Sequence, residues 1–385
     1  MTGRESAVQF RDDPLQFLDQ AFRQGEAATW LPGRQLCLAE ATAARAVLTN
    51  SDGLYQEHSD FFYTKRGVFG PRSVQVEIGR ESRKLLREYM RTHAHELSSR
   101  VQQELDGTSA WPDAGNWLVY HYLAPALLTP DSPARLRQTV DAIVERAVLA
   151  GARQRRSRLS RAIFRFRVMR ELERAVNERR ARSTDQPADV LDVIVRAAGK
   201  DVPAADLAEV FLSFVFAAAG SVGFVLGWSI FLMGTHPNTA SEPGWIVREA
   251  LRLWPVAWFL ARRPVQPHAM AGIAVTPQDQ VIVCPYAVHR NPQHWDAPNS
   301  FRPERWATDP AQNAFIPFGS GPHTCVAAAL SIQLVEDILR IIIENYHLDL
   351  TVNTTRPCLS AALAPPQFTL ALVPRGSRYL AEGRR

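Results

Sequence analysis

From Val210 to Met233 the chain reads VFLSFVFAAAGSVGFVLGWSIFLM, without one charged side chain. A run of that length and apolarity can cross a bilayer, or it can form a helix buried on every side in the middle of a large domain. Three features favour burial in protein. The segment stands alone in mid-chain, it contains Gly220, Gly223 and Gly227, and the nearest charges before it are the acids Asp206 and Glu209 rather than the basic flank of a membrane helix. The expectation is therefore a long central helix around which the remaining chain is wrapped.

With 385 residues, 46% of them hydrophobic, the chain can enclose such a helix in one domain spanning 1–385. Periodicity predicts a short helix over 13–24, extended chain over 26–38, and a helix over 38–50. Residues 51–76, rich in Gly and aromatics without period, read as a long loop. Helical spacing resumes from Ile78 to Arg196, broken at Pro112, at Pro130–Pro133 and at Pro187. After a helix over 244–254 the frequent prolines and short runs such as QVIVCPY indicate a small β-rich portion. A final helix covers Val326–Asn345, and HLDLTVN with FTLALVP reads as a closing hairpin.

The net charge of +5 is concentrated in an Arg-rich amphipathic stretch between Arg153 and Arg182. Without a zinc-finger spacing, an RNA-binding aromatic motif or a Gly-rich phosphate loop beside it, this reads as a solvated helix face rather than a nucleic-acid site. Cys37, Cys284, Cys325 and Cys358 are widely separated, which fits neither a zinc site nor a disulfide framework and suits a reducing cytoplasm. The N-terminal segment lacks the apolar core of a secretory signal or membrane anchor.

Chemistry concentrates in Phe315-Ile316-Pro317-Phe318-Gly319-Ser320-Gly321-Pro322-His323-Thr324-Cys325, which leads directly into the last helix. Two glycines permit a tight turn, and a cysteine at a helix start meets unpaired N–H groups that favour a thiolate. Phe318, Gly319, Gly321, His323 and Cys325 resemble the cysteine-ligand loop of the cytochrome P450 family, Phe-Gly-x-Gly-x-His-x-Cys-x-Gly, with Ala327 replacing the final glycine. Glu249-Ala250-Leu251-Arg252 resembles the family's Glu-x-x-Arg helix, and Phe301–Trp306 resembles its partner segment, with Arg305 as third member.

The resemblance implies a mainly α fold with small β-sheets, the cytochrome P450 fold, with haem b (iron protoporphyrin IX) between the long central helix and the cysteine-ligand helix. Cys325 is then the iron ligand and catalytic sulfur. His323, Arg262 and Arg83 are the implied partners of the haem propionates, although Gly79 stands at the histidine of the family's His-x-x-x-Arg helix. Phe318, Gly319, Gly321, Ala219 and Gly220 are the implied haem contacts.

Aligning Ala219-Gly220 on the family's Ala-Gly-x-Asp/Glu-Thr places Ser221, Val222 and Gly223 over the following positions, so that both the acid and the alcohol are missing. A shift of one or two residues would bring Ser221 into play. The implied substrate pocket comprises Val222, Gly223, Phe224, Val256 and Trp258, with loop 51–76 and the turn Ala364-Pro365-Pro366 closing it. Phe61, Phe62, Phe69, Phe224 and Trp258 suggest an apolar small molecule.

Two enzyme readings follow: oxidative tailoring in specialised metabolism with electrons from ferredoxin and ferredoxin reductase, or haem-thiolate chemistry that bypasses ordinary dioxygen activation. The second would use peroxide, nitric oxide or an N–O bond in nitrene- or oxo-transfer. A non-catalytic haem-binding homologue is the third reading. None involves a membrane or nucleic acid.

Overall fold

The computed structural model describes residues 3–149, 157–182, 186–237, 239, 242–308, 312–352 and 354–376. The uncharged segment is the middle of one continuous helix, Ala204–Thr235, the only one among the described residues long and apolar enough to span a bilayer; most of it is buried inside the protein. Leu207, Val210, Phe211, Leu226 and Ile230 are fully enclosed. Each such side chain contributes about 1.5–3 kcal/mol by leaving water. Trp228 stacks on Trp254 at 4.3 Å between ring centroids and donates its indole N–H to the Leu363 carbonyl at 3.0 Å. The central helix is thereby fixed to the chain that follows it.

Helices pack around this axis. Arg72–Thr92, Leu97–Leu105, Asp113–Leu127, Ala134–Ala147, Arg158–Ala181 and Val190–Ala198 precede it, and Pro243–Leu253 and Ala328–Asn345 follow. The expected breaks at Pro112 and Pro130–Pro133 are present. Pro125, by contrast, lies inside Asp113–Leu127 near its end and does not terminate it. At the N-terminus there are two helices, Gly3–Asp12 and Pro14–Ala21, where one over 13–24 was expected, because Asp13 caps the second by accepting from the Gln16 N–H.

The Arg-rich helix is described from Arg158, so residues 153–156 of the basic run lie outside the described residues. Arg158, Arg161, Arg165, Arg167 and Arg170 are exposed, as a solvated face requires, but Leu159 and Phe166 are exposed beside them. Further along the same helix Arg179 turns inward, paired with Asp189 at 2.8 Å and with Asp192.

The β-portion forms a four-stranded sheet in the order Ala28–Leu31, Gln35–Leu38, Gln280–Val283, Leu260–Arg262. Gln35–Leu38 runs parallel to Gln280–Val283, with Leu36 opposite Val281, and the other pairs are antiparallel. This sheet has its own apolar cluster around Leu36, Val47, Val283 and Trp295. The closing strands pair as read, Tyr346–Val352 antiparallel to Phe368–Pro374, but Thr108–Trp111 adds a third strand through Phe368 opposite Trp111. Residues 51–71 are mostly irregular, with one short hairpin, Tyr63–Thr64 and Gly67–Val68, but the last five residues of the expected loop are already the first turns of helix Arg72–Thr92.

Candidate functional site

The cysteine loop is built by its backbone. Gly319 and Gly321 adopt φ of +76° and +73°, and a Cβ on Gly321 would stand 2.7 Å from the Thr49 Cα. Glycine is therefore required there twice over, by conformation and by space. The Cys325 N–H donates to the Phe318 carbonyl at 3.0 Å, closing the loop, and the helix begins three residues later at Ala328. His289 holds the loop's stem: its Nε2 accepts from the Ile316 N–H at 2.9 Å while Nδ1 lies 3.1 Å from the Arg252 carbonyl. Burial, with Arg252 nearby, pushes His289 down to about 3, so it stays neutral, Nδ1 protonated.

Behind that stem lies the Glu249 cluster. Glu249 and Arg252 are both fully buried. Arg252 donates Nε and Nη2 to Glu249 at 3.0 and 2.7 Å, and its remaining donors to the carbonyls of His289, Pro298 and Ser300 at 2.9, 2.6 and 3.0 Å. All five guanidinium donors are thus satisfied. Arg305 Nε donates to Glu249 at 3.1 Å, so the expected third member is in place, and the Trp306 indole N–H donates to the same carboxylate at 2.9 Å.

Cys325 opens onto a cavity of about 590 Å³. It faces this space rather than bulk solvent: burial pushes its thiol up, and the N–H groups of Ala327 and Ala328 draw it only partly back. The helix start alone thus does not produce a thiolate; a cation must displace the proton. Walls come from the central helix (Phe214, Ala217, Ala218, Ser221, Val222, Val225), from helix Arg72–Thr92, from Ser59–Phe62, and from Val256, Ala257 and Leu260. Phe318 and Gly319 line the cavity beside the sulfur.

Of the expected propionate partners, Arg262, His323 and Arg83 all reach the cavity. Arg83 has no ion-pair or hydrogen-bond partner among the described residues. Arg262 is met by Asp60 at 2.8 Å; burial raises that carboxyl, but His58 and Arg262 outweigh it and hold it down to about 2. His323 Nε2 lies 2.9 Å from Glu57, and its Nδ1 lies 3.3 Å from Arg72. Arg72, which also donates to the Pro322 carbonyl and lines the cavity, was not read from the sequence. Its only sequence signal is an arginine at the first helical position after Pro71. Gly79, at the histidine position of the motif, has its own reason: a Cβ there would lie 2.9 Å from Val326 Cγ1.

The pocket reading needs correction. Val222 and Val256 line the cavity; Gly223, Phe224 and Trp258 do not. Gly223 packs on Asn116, Phe224 is buried in the core, and Trp258 donates its indole N–H to the Ser360 carbonyl at 3.2 Å. Ala219 and Gly220 also face away, Gly220 towards Val148. Gly321 shapes the loop without lining the space, and Ala361–Ala362, rather than 364–366, supply the C-terminal wall. Within the central helix, a π turn over Ala217–Val222 inserts a residue into the face, and Ser221 is exposed into the cavity.

Comparison with known proteins agrees with the geometry. The family model described as Cytochrome P450 matches residues 244–371, which contain the Glu249 cluster and the cysteine loop. Cytochrome P450 4V2 of Mus musculus is 24% identical over 188 residues, 41% of this chain and 36% of that protein. Corytuberine synthase of Coptis japonica is 28% identical over 211 residues, 47% of this chain and 43% of that protein. The chain thus spans less than half the length of these relatives. A crystal structure of the cytochrome P450DA haem domain superposes with a TM-score of 0.74 at 16% identity, covering 96% of this chain and 95% of that one.

Haem, the cofactor of that family, suits this cavity: one sulfur, cationic groups for two carboxylates, and apolar walls are the donor set it requires. The family model over residues 244–371, the fold and the cavity around Cys325 all support a member of the cytochrome P450 family.

Proposed function

We propose that the chain is a one-domain haem-thiolate oxidoreductase, a cytoplasmic tailoring enzyme of specialised metabolism. It acts on an apolar small molecule and draws electrons from ferredoxin through its reductase. The observation that carries this reading is the Cys325 sulfur opening onto an apolar cavity beside the central helix. Haem bound through a thiolate supplies iron whose electron density favours O–O cleavage.

The chain's own residues do the rest. Cys325 binds the iron, its loop held by Gly319, Gly321 and His289. Arg262, His323, Arg72 and Arg83 offer positive charge and N–H donors to the propionates. Phe61, Phe214, Val222, Val225 and Val256 exclude water and favour an apolar substrate. Ser221 holds the one hydroxyl that the central helix turns into the cavity, where its Oγ can pass a proton.

A second reading rests on a specific observation. None of the cavity-facing residues of the central helix is an acid. That favours an oxidant arriving with its weak bond already made, a peroxide or an N–O compound, over protonation of dioxygen.

The test is the spectrum of the reduced protein with carbon monoxide. A strongly red-shifted Soret band, lost in Cys325→Ala, is expected; an unshifted band refutes thiolate ligation. Turnover with a peroxide or N–O substrate, without dioxygen or electron donor, would select the second reading.

A further inference from the structure

The π turn raises a question that the cavity alone does not answer: what holds it. Inserting one residue into a helix disturbs the backbone ladder, and a side chain donating into that ladder is a recognised way to sustain the distortion. Elsewhere on the same helix the donor is local, since Ser229 Oγ donates to the Val225 carbonyl at 2.9 Å and Thr235 Oγ1 to the Phe231 carbonyl at 2.8 Å. At the widened turn the donor comes from another element. Asn116, on helix Asp113–Leu127, places Nδ2 at 2.5 Å from the Ala219 carbonyl and 3.4 Å from that of Gly220.

We propose that Asn116 is a positioning residue whose side-chain amide sustains the π turn and so sends the Ser221 hydroxyl into the cavity. This deepens the functional reading above and rests on it. Two observations show that the residue type is not there for packing. Asn116 is fully buried, and its Oδ1 has no partner among the described residues, a cost that an aliphatic side chain of the same size would avoid. The helix is also shaped to admit it: a Cβ on Gly223 would lie 2.5 Å from Asn116 Nδ2 and 2.7 Å from its Cα. Gly223 stands where the sequence comparison seeks an alcohol. The glycine at that position is thus what gives the Asn116 amide room to reach the widened turn.

The test uses the haem-loaded protein, with amide hydrogen exchange as one readout and the infrared stretch of its carbon monoxide complex as the other. Asn116→Leu should speed exchange across 217–223 by about tenfold or more, as loss of one buried hydrogen bond requires, while 226–232 stay protected. Its carbon monoxide stretch should move in the same direction as that of Ser221→Ala. Should the leucine variant fail to fold, Asn116→Asp supplies the test. Its carboxylate repels both carbonyls at high pH, and the protonated acid donates to them again at low pH, so protection relative to wild type should return on acidification. Unchanged exchange in the leucine variant, or in the aspartate variant no loss of protection at high pH, overturns the proposal. So does a carbon monoxide stretch insensitive to Asn116→Leu. If the protein binds no haem, the functional reading fails, while exchange in the unloaded chain still decides the role of Asn116.

Discussion

Replacing Glu249 with Ala is the most severe single change that the structure allows near the site without touching the cavity. The carboxylate accepts from both ends of the Arg252 fork, from Arg305, from the Arg302 N–H and from the Trp306 indole. Without it, Arg252 remains at 0% exposure with two of its donors unmatched. Removing one partner of a buried pair costs about 3–5 kcal/mol, because the other charge is left in a medium that cannot solvate it. A chain of 385 residues gains roughly 0.8 kcal/mol per kelvin of unfolding entropy near its midpoint, so that a loss of about 4 kcal/mol lowers the melting temperature by about 5 °C. Glu249→Gln keeps one acceptor oxygen and the side-chain shape but not the charge, and should fall between the two. Thermal unfolding of the three haem-loaded proteins at one scan rate measures the series. A melting temperature of Glu249→Ala within about 1 °C of wild type would refute the view that this cluster anchors the cysteine-loop side of the fold.

Acid should weaken the protein through His289. Its folded pKa, about 3, lies below the unfolded value of 6.5, so protons bind the unfolded chain preferentially. Stability is complete above 6.5 and falls by about 1.4 kcal/mol per pH unit below it; urea midpoints between pH 6.5 and 5 should show this slope in wild type and lose it in His289→Asn. Asp60→Asn should release Arg262 and slow haem loss up to about fivefold, as expected for one partly exposed ion pair. Arg262→Ala should speed haem loss, and transfer of haem to an acceptor protein reads both rates; equal rates in the three proteins would remove Arg262 from the cofactor's binding groups.

The chemistry near Cys325 was legible because its residue types are dictated by backbone conformation and by charge. Gly319 and Gly321 adopt positive φ, and Glu249, Arg252 and Arg305 have few substitutes in a buried ionic cluster. Such constraints leave a local pattern. The central helix was harder to read, since an uncharged run identifies a buried helix but carries no polar mark to set its rotation. A π turn lies in that stretch, and of the expected residues there Val222 lines the cavity while Gly223 and Phe224 do not. Asn116 left no local signal, its partners lying 103 and 104 positions away. Arg72 was missed for a similar reason: its contacts with Pro322 and His323 exist only once helix and loop have met.

The approach of Gly79 to Val326, 2.9 Å for an added Cβ, couples two positions far apart in the chain. A side chain introduced at 79 requires the Val326 methyl, next to the sulfur, to give way or to be trimmed. A cation at that corner of the cavity is therefore a two-residue change, and Gly79→His should be better tolerated together with Val326→Ala than alone.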